Sequence, residues 1–88
     1  MEYESIKQQI NHPAIILQCV REDGERERTR LTRHTMQDAR ELSKWVLYAG
    51  NGFYTAVEIC IEDGVVETVQ DSEVMDHVRM YGASRLRV

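Results

Sequence analysis

The amino-acid sequence predicts an α+β fold: a mainly antiparallel sheet of four or five strands with two or three helices packed against it. The expected element order is α-ββ-α-ββ-α-β. Three observations predict it. Two β-rich runs, residues 14–21 and 53–62, each reach an Asp-Gly pair and are followed by a returning strand pattern, as hairpins do. An amphipathic stretch, residues 35–50, lies between them. The blocks I-L-Q-C-V-R-E-D-G (16–24) and A-V-E-I-C-I-E-D-G (56–64) also align at a constant offset of 40 residues, with three identities in nine positions. Each block runs on into a return strand and a helix, which suggests a duplicated ββα unit.

Taken in order, residues 2–11 carry Tyr3, Ile6 and Ile10 on one stripe and read as a short helix. It ends near His12, because the residue before Pro13 is pushed out of helical conformation. The run A-I-I-L-Q-C-V-R (14–21) has apolar residues on both faces, which suits an inner strand covered at least partly on both sides. Asp23-Gly24 turns the chain and E-R-E-R-T-R-L-T-R (25–33) returns. Charge selects a register: a three-residue loop at 23–25 sets Glu22 opposite Arg26, Arg21 opposite Glu27 and Leu17 opposite Leu31. A two-residue loop at 23–24 would oppose like charges. The favoured register puts Ile15, Leu17, Cys19, Thr29 and Leu31 on the core face and Arg26, Arg28 and Arg30 on the outer face.

The central helix starts at a Thr35 cap with Asp38 three residues on, a relative of the capping box. Met36, Ala39, Leu42, Val46 and Ala49 define its expected apolar face, and Gln37, Arg40, Glu41 and Lys44 its polar one. Gly50-Asn51-Gly52 supplies residues that tolerate positive φ at a helix end. In the next strand Phe53, Val57, Ile59 and Ile61 point one way and Tyr54, Glu58 and Glu62 the other. Asp63-Gly64 turns into V-V-E-T-V-Q (65–70). Asp71 or Ser72 caps a shorter helix with Val74, Met75, Val78 and Tyr81 on one face, ended by Gly82. The tail A-S-R-L-R-V alternates and reads as a last strand.

A chain of 88 residues suits one domain, 1–88, with a modest core. At 42% hydrophobic and 30% charged it has the composition of a folded globular protein. It has no apolar run long enough to span a bilayer, and its acidic start M-E-Y-E-S-I-K-Q-Q-I lacks a signal core, so a cytoplasmic protein without membrane attachment is expected. Cys19 and Cys60 make no disulfide framework and read as small core residues.

The charge layout carries the functional reading. Net charge is −4, yet residues 25–34 hold Arg26, Arg28, Arg30 and Arg33 against Glu25 and Glu27. Residues 45–78 hold no Lys or Arg and seven acids, among them Glu58, Glu62 and Glu67. Arginines at alternate strand positions form a row of donors suited to phosphates or carboxylates, or simply a charged edge that resists aggregation. The acidic half can present carboxylates to a basic groove, and the two halves can also attract each other, within one chain or across a homodimer.

His12, His34 and His77 lack metal-ligand spacing, Gly50-Asn51-Gly52 follows a helix rather than preceding one, and no acid, base and nucleophile converge. No enzyme, metal or cofactor is therefore expected. Trp45 is assigned to the core, whereas Tyr48 and Tyr54 flank the turn as candidate contact residues.

In general type, a small acidic α+β chain is similar to phage-encoded inhibitors, the anti-CRISPR proteins among them. The likeness covers no motif and carries no residue roles. It implies an inhibitor or adaptor that docks on a protein, such as a basic nucleic-acid-handling one. Direct nucleic-acid binding through Arg26, Arg28, Arg30 and Arg33, and an oligomer-forming module, are the alternatives.

Overall fold

The computed structural model describes residues 14–32 and 34–86, so the expected helix at 2–11 and Arg33 lie outside the described residues. The chain is α+β. Strands β1 (Ile15–Arg21), β2 (Arg26–Leu31), β3 (Tyr54–Ile61) and β4 (Gly64–Gln70) form one antiparallel sheet in the order β2-β1-β3-β4. Helix α1 (Met36–Gly50) joins the two hairpins and α2 (Asp71–Tyr81) follows the second. The two hairpins thus share one sheet, with β1 and β3 side by side at its centre and Gln18 facing Glu58.

Both helices cover one face of that sheet. Ile15, Leu17, Cys19, Leu31, Val57, Ile59 and Val69 from the strands pack with Ala39 and Leu47 of α1 and Val74 of α2 in a single cluster. These strand positions alternate, so the same period that buries them turns Ile16, Gln18, Val20, Ala56, Glu58 and Cys60 to the outer face. Ala56 and Cys60 are nonetheless buried, outside that cluster. Cys19 and Cys60 therefore face opposite sides of the sheet, and both are free.

The first hairpin adopts a register that charge matching alone did not select. Its loop is 22–24, two positions from the expected pairing: Val20 faces Arg26, Cys19 faces Glu27, and Ile15 rather than Leu17 faces Leu31. Gly24 has φ +87° and donates its N–H to the Arg21 carbonyl, while Arg21 N–H donates to the Glu25 carbonyl. This is a type I turn closed by a residue in the left-handed region, a geometry that favours glycine at that position. The loop also removes Glu22 from the ladder and sets Arg21 beside Glu25, so the charge rule is satisfied by a third alternative. A shift of two preserves strand parity, which is why the predicted faces survive the wrong register. Thr29 is the exception in exposure: it lies on the helix side but at the uncovered edge, and is exposed. Gly24→Ala is expected to destabilise the protein by about 1–2 kcal/mol, the cost of a left-handed backbone with a Cβ, readable by urea unfolding.

The cap of α1 forms as expected: Thr35 Oγ1 accepts from Asp38 N–H at 3.1 Å and Asp38 Oδ2 accepts from Thr35 N–H at 3.3 Å. Asn51 ends the helix in the left-handed region at φ +50°. The buried stripe is rotated from the expected one. Ala39, Ser43 and Leu47 are fully buried, Met36, Leu42 and Val46 are partly so, and Ala49 is exposed. A serine at the centre of the stripe concealed it. Ser43 is accommodated because its hydroxyl donates to the Ala39 carbonyl at 2.6 Å.

Further differences concern the second half. The β3–β4 loop is 62–63, with Glu62 at φ +59° and Gly64 already paired to Ile61. The register shifts between Ile59 and Cys60, leaving Val66 as an extra residue in β4. Phe53 is 51% exposed rather than aligned with Val57 in the core. Asp71 is the first residue of α2, and Gln70 precedes it without a side-chain cap bond. Val74 is buried and Val78 packs on the core, but Met75 and Tyr81 are exposed. The expected last strand is instead a 3-10 turn, Ala83–Leu86, which inserts Leu86 into the core. Alternation over four residues fits either geometry, and the sheet has no fifth strand among the described residues.

Candidate interaction surface

The outer sheet face is built by cross-strand register. Arg26, Val20, Ala56 and Gln70 form one row, and Arg28, Gln18, Glu58 and Thr68 the next. Arg30, Ile16, Cys60 and Val65 form the third. No helix among the described residues packs on this face. The face therefore has an arginine margin along β2, a band of half-buried apolar residues at Ile16 and Val20, and a polar centre.

The polar centre is one carboxylate shared by two donors. Glu58 Oε1 accepts from Arg26 Nε at 2.9 Å and from Gln18 Nε2 at 2.5 Å. Arg26 first, then Gln18, hold the Glu58 carboxyl below its ordinary value of 4.5. A lowered folded value means that this contribution to stability is present above about pH 4.5 and is lost as pH falls through the folded value. Glu58→Gln is therefore expected to be less stable than the parent protein at neutral pH, with the gap closing on acidification below pH 4.5, as followed by denaturant unfolding at each pH. A gap that stays constant with pH would remove the assigned role of the pair.

The attraction between basic and acidic hairpins is thus realised inside the chain. Other polar side chains are also paired. Glu67 is engaged by Arg40 of α1 through contacts of 2.8 and 2.9 Å to its two oxygens. Tyr54 donates its hydroxyl to Glu27, which raises the phenol above its ordinary value. Arg21 pairs with Asp23 at 2.9 Å and stacks over the exposed Phe53 ring, 5.3 Å from its centre. Asp76 pairs with Arg79.

The predicted contact residues therefore divide. Glu58, Glu67, Tyr54 and Arg26 are held in pairs within the chain. Tyr48 is half-buried, packs on the core and meets Trp45 edge to face at 5.8 Å, so it is less open than expected. Glu62 is exposed at the tip of the second hairpin. Arg28 and Arg30 are exposed and enter no ion pair among the described residues. Sequence reasoning missed Gln18, Arg21 and Arg40 as organisers of this surface. The offset of 40 residues held a signal for Gln18, since it aligns Gln18 with Glu58.

Among the described residues no group of three His, Cys, Asp or Glu side chains is placed to hold a metal ion. No described helix is long and apolar enough to cross a membrane. Burial first, and the charge of Glu27 second, raise the Cys19 thiol above its ordinary value, which disfavours the reactive thiolate. Comparison with family models, with curated proteins and with solved structures finds no match to the chain.

Proposed function

We propose that this chain is a non-enzymatic protein-binding module, an inhibitor or adaptor, which docks through the basic margin of its outer sheet face. One observation carries the reading: Arg28 and Arg30 stand exposed beside the half-buried Ile16 and Val20, while most other charges of the sheet are matched within the chain. Apolar side chains beside arginines that enter no ion pair among the described residues have the composition of a protein contact, where arginine gives both packing area and directed hydrogen bonds. The acidic half is a weaker docking candidate, since Glu58 and Glu67 already have arginine partners.

The test uses the whole chain as immobilised bait in a lysate of the organism that encodes it. The parent protein is expected to retain a partner that salt releases, and R28E/R30E, folded by circular dichroism, is expected not to. Equal capture by both baits would refute the basic margin as the docking surface. Direct nucleic-acid binding uses the same arginines but lacks exposed aromatics on β2 for base stacking. It predicts instead that the parent chain shifts a single-stranded oligonucleotide on a native gel.

A further inference from the structure

The outer-face arginines of β2 also occupy the positions whose backbone groups face away from β1. Arg21 N–H donates to the Glu25 carbonyl, so Arg21 and Glu25 form a hydrogen-bonded pair at the base of the hairpin. Hydrogen-bonded and non-hydrogen-bonded pairs alternate along an antiparallel ladder. Glu27 and Thr29 therefore direct their N–H and C=O groups toward β1. The pairs Val20–Arg26, Gln18–Arg28 and Ile16–Arg30 are the non-bonded ones. Arg26, Arg28 and Arg30 thus turn their backbone groups outward, to an edge of the sheet that no strand among the described residues covers. Arg28 and Arg30, which enter no ion pair among the described residues, also carry edge amides, whereas the Arg26 guanidinium is held by Glu58.

We propose that β2 receives an added strand from a protein partner, antiparallel to it, whose alternate carboxylates lie opposite Arg28 and Arg30. This rests on the protein-docking reading and names its mode and the chemistry of its partner. In an added antiparallel strand, a residue that exchanges both backbone bonds with Arg28 projects its side chain on the same outer face, beside the guanidinium. Its neighbour two positions on does the same beside Arg30. An extended segment with Asp or Glu at every second position satisfies both arginines while its backbone satisfies the edge. Apolar residues between the carboxylates would fall on the helix side, over the exposed Thr29.

A second copy of the chain does not fit this edge. Two β2 strands related by a two-fold axis normal to the sheet place residues of equal parity opposite each other. On the outer face every such register sets arginine against arginine, such as Arg28 against Arg28 or Arg26 against Arg30. Opposed like charges destabilise the ladder. The other edge, β4, is interrupted by the extra residue Val66, whereas β2 pairs with β1 without a register shift.

The experiment titrates a fluorescein-labelled alternating Glu-Val peptide of about eight residues, a normal strand length, into the full chain at low salt. Anisotropy is expected to report binding that an alternating Lys-Val peptide does not show. R28E/R30E is expected to weaken it by at least about tenfold. Amide hydrogen exchange supplies the decisive reading. In the free protein the Arg28 and Arg30 amides exchange fast and the Glu27 and Thr29 amides slowly, and the peptide is expected to protect Arg28 and Arg30. A peptide N-methylated on alternate residues, which keeps its carboxylates but loses its ladder, is expected not to bind.

Binding of the methylated peptide, or binding without protection of Arg28 and Arg30, would overturn strand addition. Preference for oligothymidylate over the acidic peptide would overturn the protein partner. A lysate partner that still depends on Arg28 and Arg30, while no amide of β2 becomes protected, would leave the docking reading standing and refute only the added strand.

Discussion

Replacing Leu47 by alanine is expected to lower the unfolding free energy by about 2–5 kcal/mol, among the largest effects of any single truncation in this chain. Leu47 has no exposed surface and sits where α1 meets the centre of the sheet, in one cluster with Val57 and Ile59. Removing three side-chain carbons there loses their burial and leaves a cavity that a rigid sheet cannot close. At roughly 4–8 °C per kcal/mol for a domain of this size, the melting temperature should fall by about 10 °C or more. Ala49→Ser on the same helix serves as the control, since Ala49 is exposed and its change is expected to stay within about 0.5 kcal/mol. A near-zero effect at Leu47 would mean that α1 packs through another stripe, such as the one through Ala49.

Leu86→Ala is expected to cost about 2–4 kcal/mol, comparable to a central strand residue despite its place in a four-residue turn near the chain end. Leu86 is 1% exposed and belongs to the same cluster as Leu47 and Val74. The turn Ala83–Leu86 packs against both helices and inserts Leu86 into the core cluster. Met80→Ala, at a side chain 73% exposed, is the matched control and is expected to be nearly neutral. Thermal unfolding of the two variants side by side reads the difference directly. Equal stability would exclude the turn from the core.

The features that were legible before any coordinates are those with redundant local signals. The Thr35–Asp38 cap, the Asn51 termination and the strand faces of β1 and β3 each follow from residue types at fixed spacing. What escaped depended on tertiary context. Ser43 could be buried only because its hydroxyl finds a carbonyl one turn back, which no hydropathy pattern records. Leu86 alternates with its neighbours as a strand residue would, yet its segment forms a 3-10 turn and pairs with no strand among the described residues. The arginine row was visible as a row. That Arg26 is spent on Glu58 while Arg28 and Arg30 are not depends on which strand stands two places away, and the sequence holds that only indirectly. The hairpin register satisfies the charge rule with a loop at 22–24 that places Gly24 at φ +87°, an alternative that the charge pairs alone did not single out.

The facing of Gln18 and Glu58 has a wider consequence. Their offset of 40 residues also relates the β1–β2 ladder to the β3–β4 ladder, so an approximate dyad of the sheet passes between these two side chains. In a dimer of identical halves, a residue next to its own symmetry mate can only meet a copy of itself, so Glu at that position would meet Glu. Joining the halves in one polypeptide lifts that constraint, and an amide can stand against a carboxylate at 2.5 Å. The same freedom lets one half carry the arginines and the other the acids. In one polypeptide the position that strict symmetry would make repulsive is instead the polar centre of the sheet, and the two edges of the sheet are unlike.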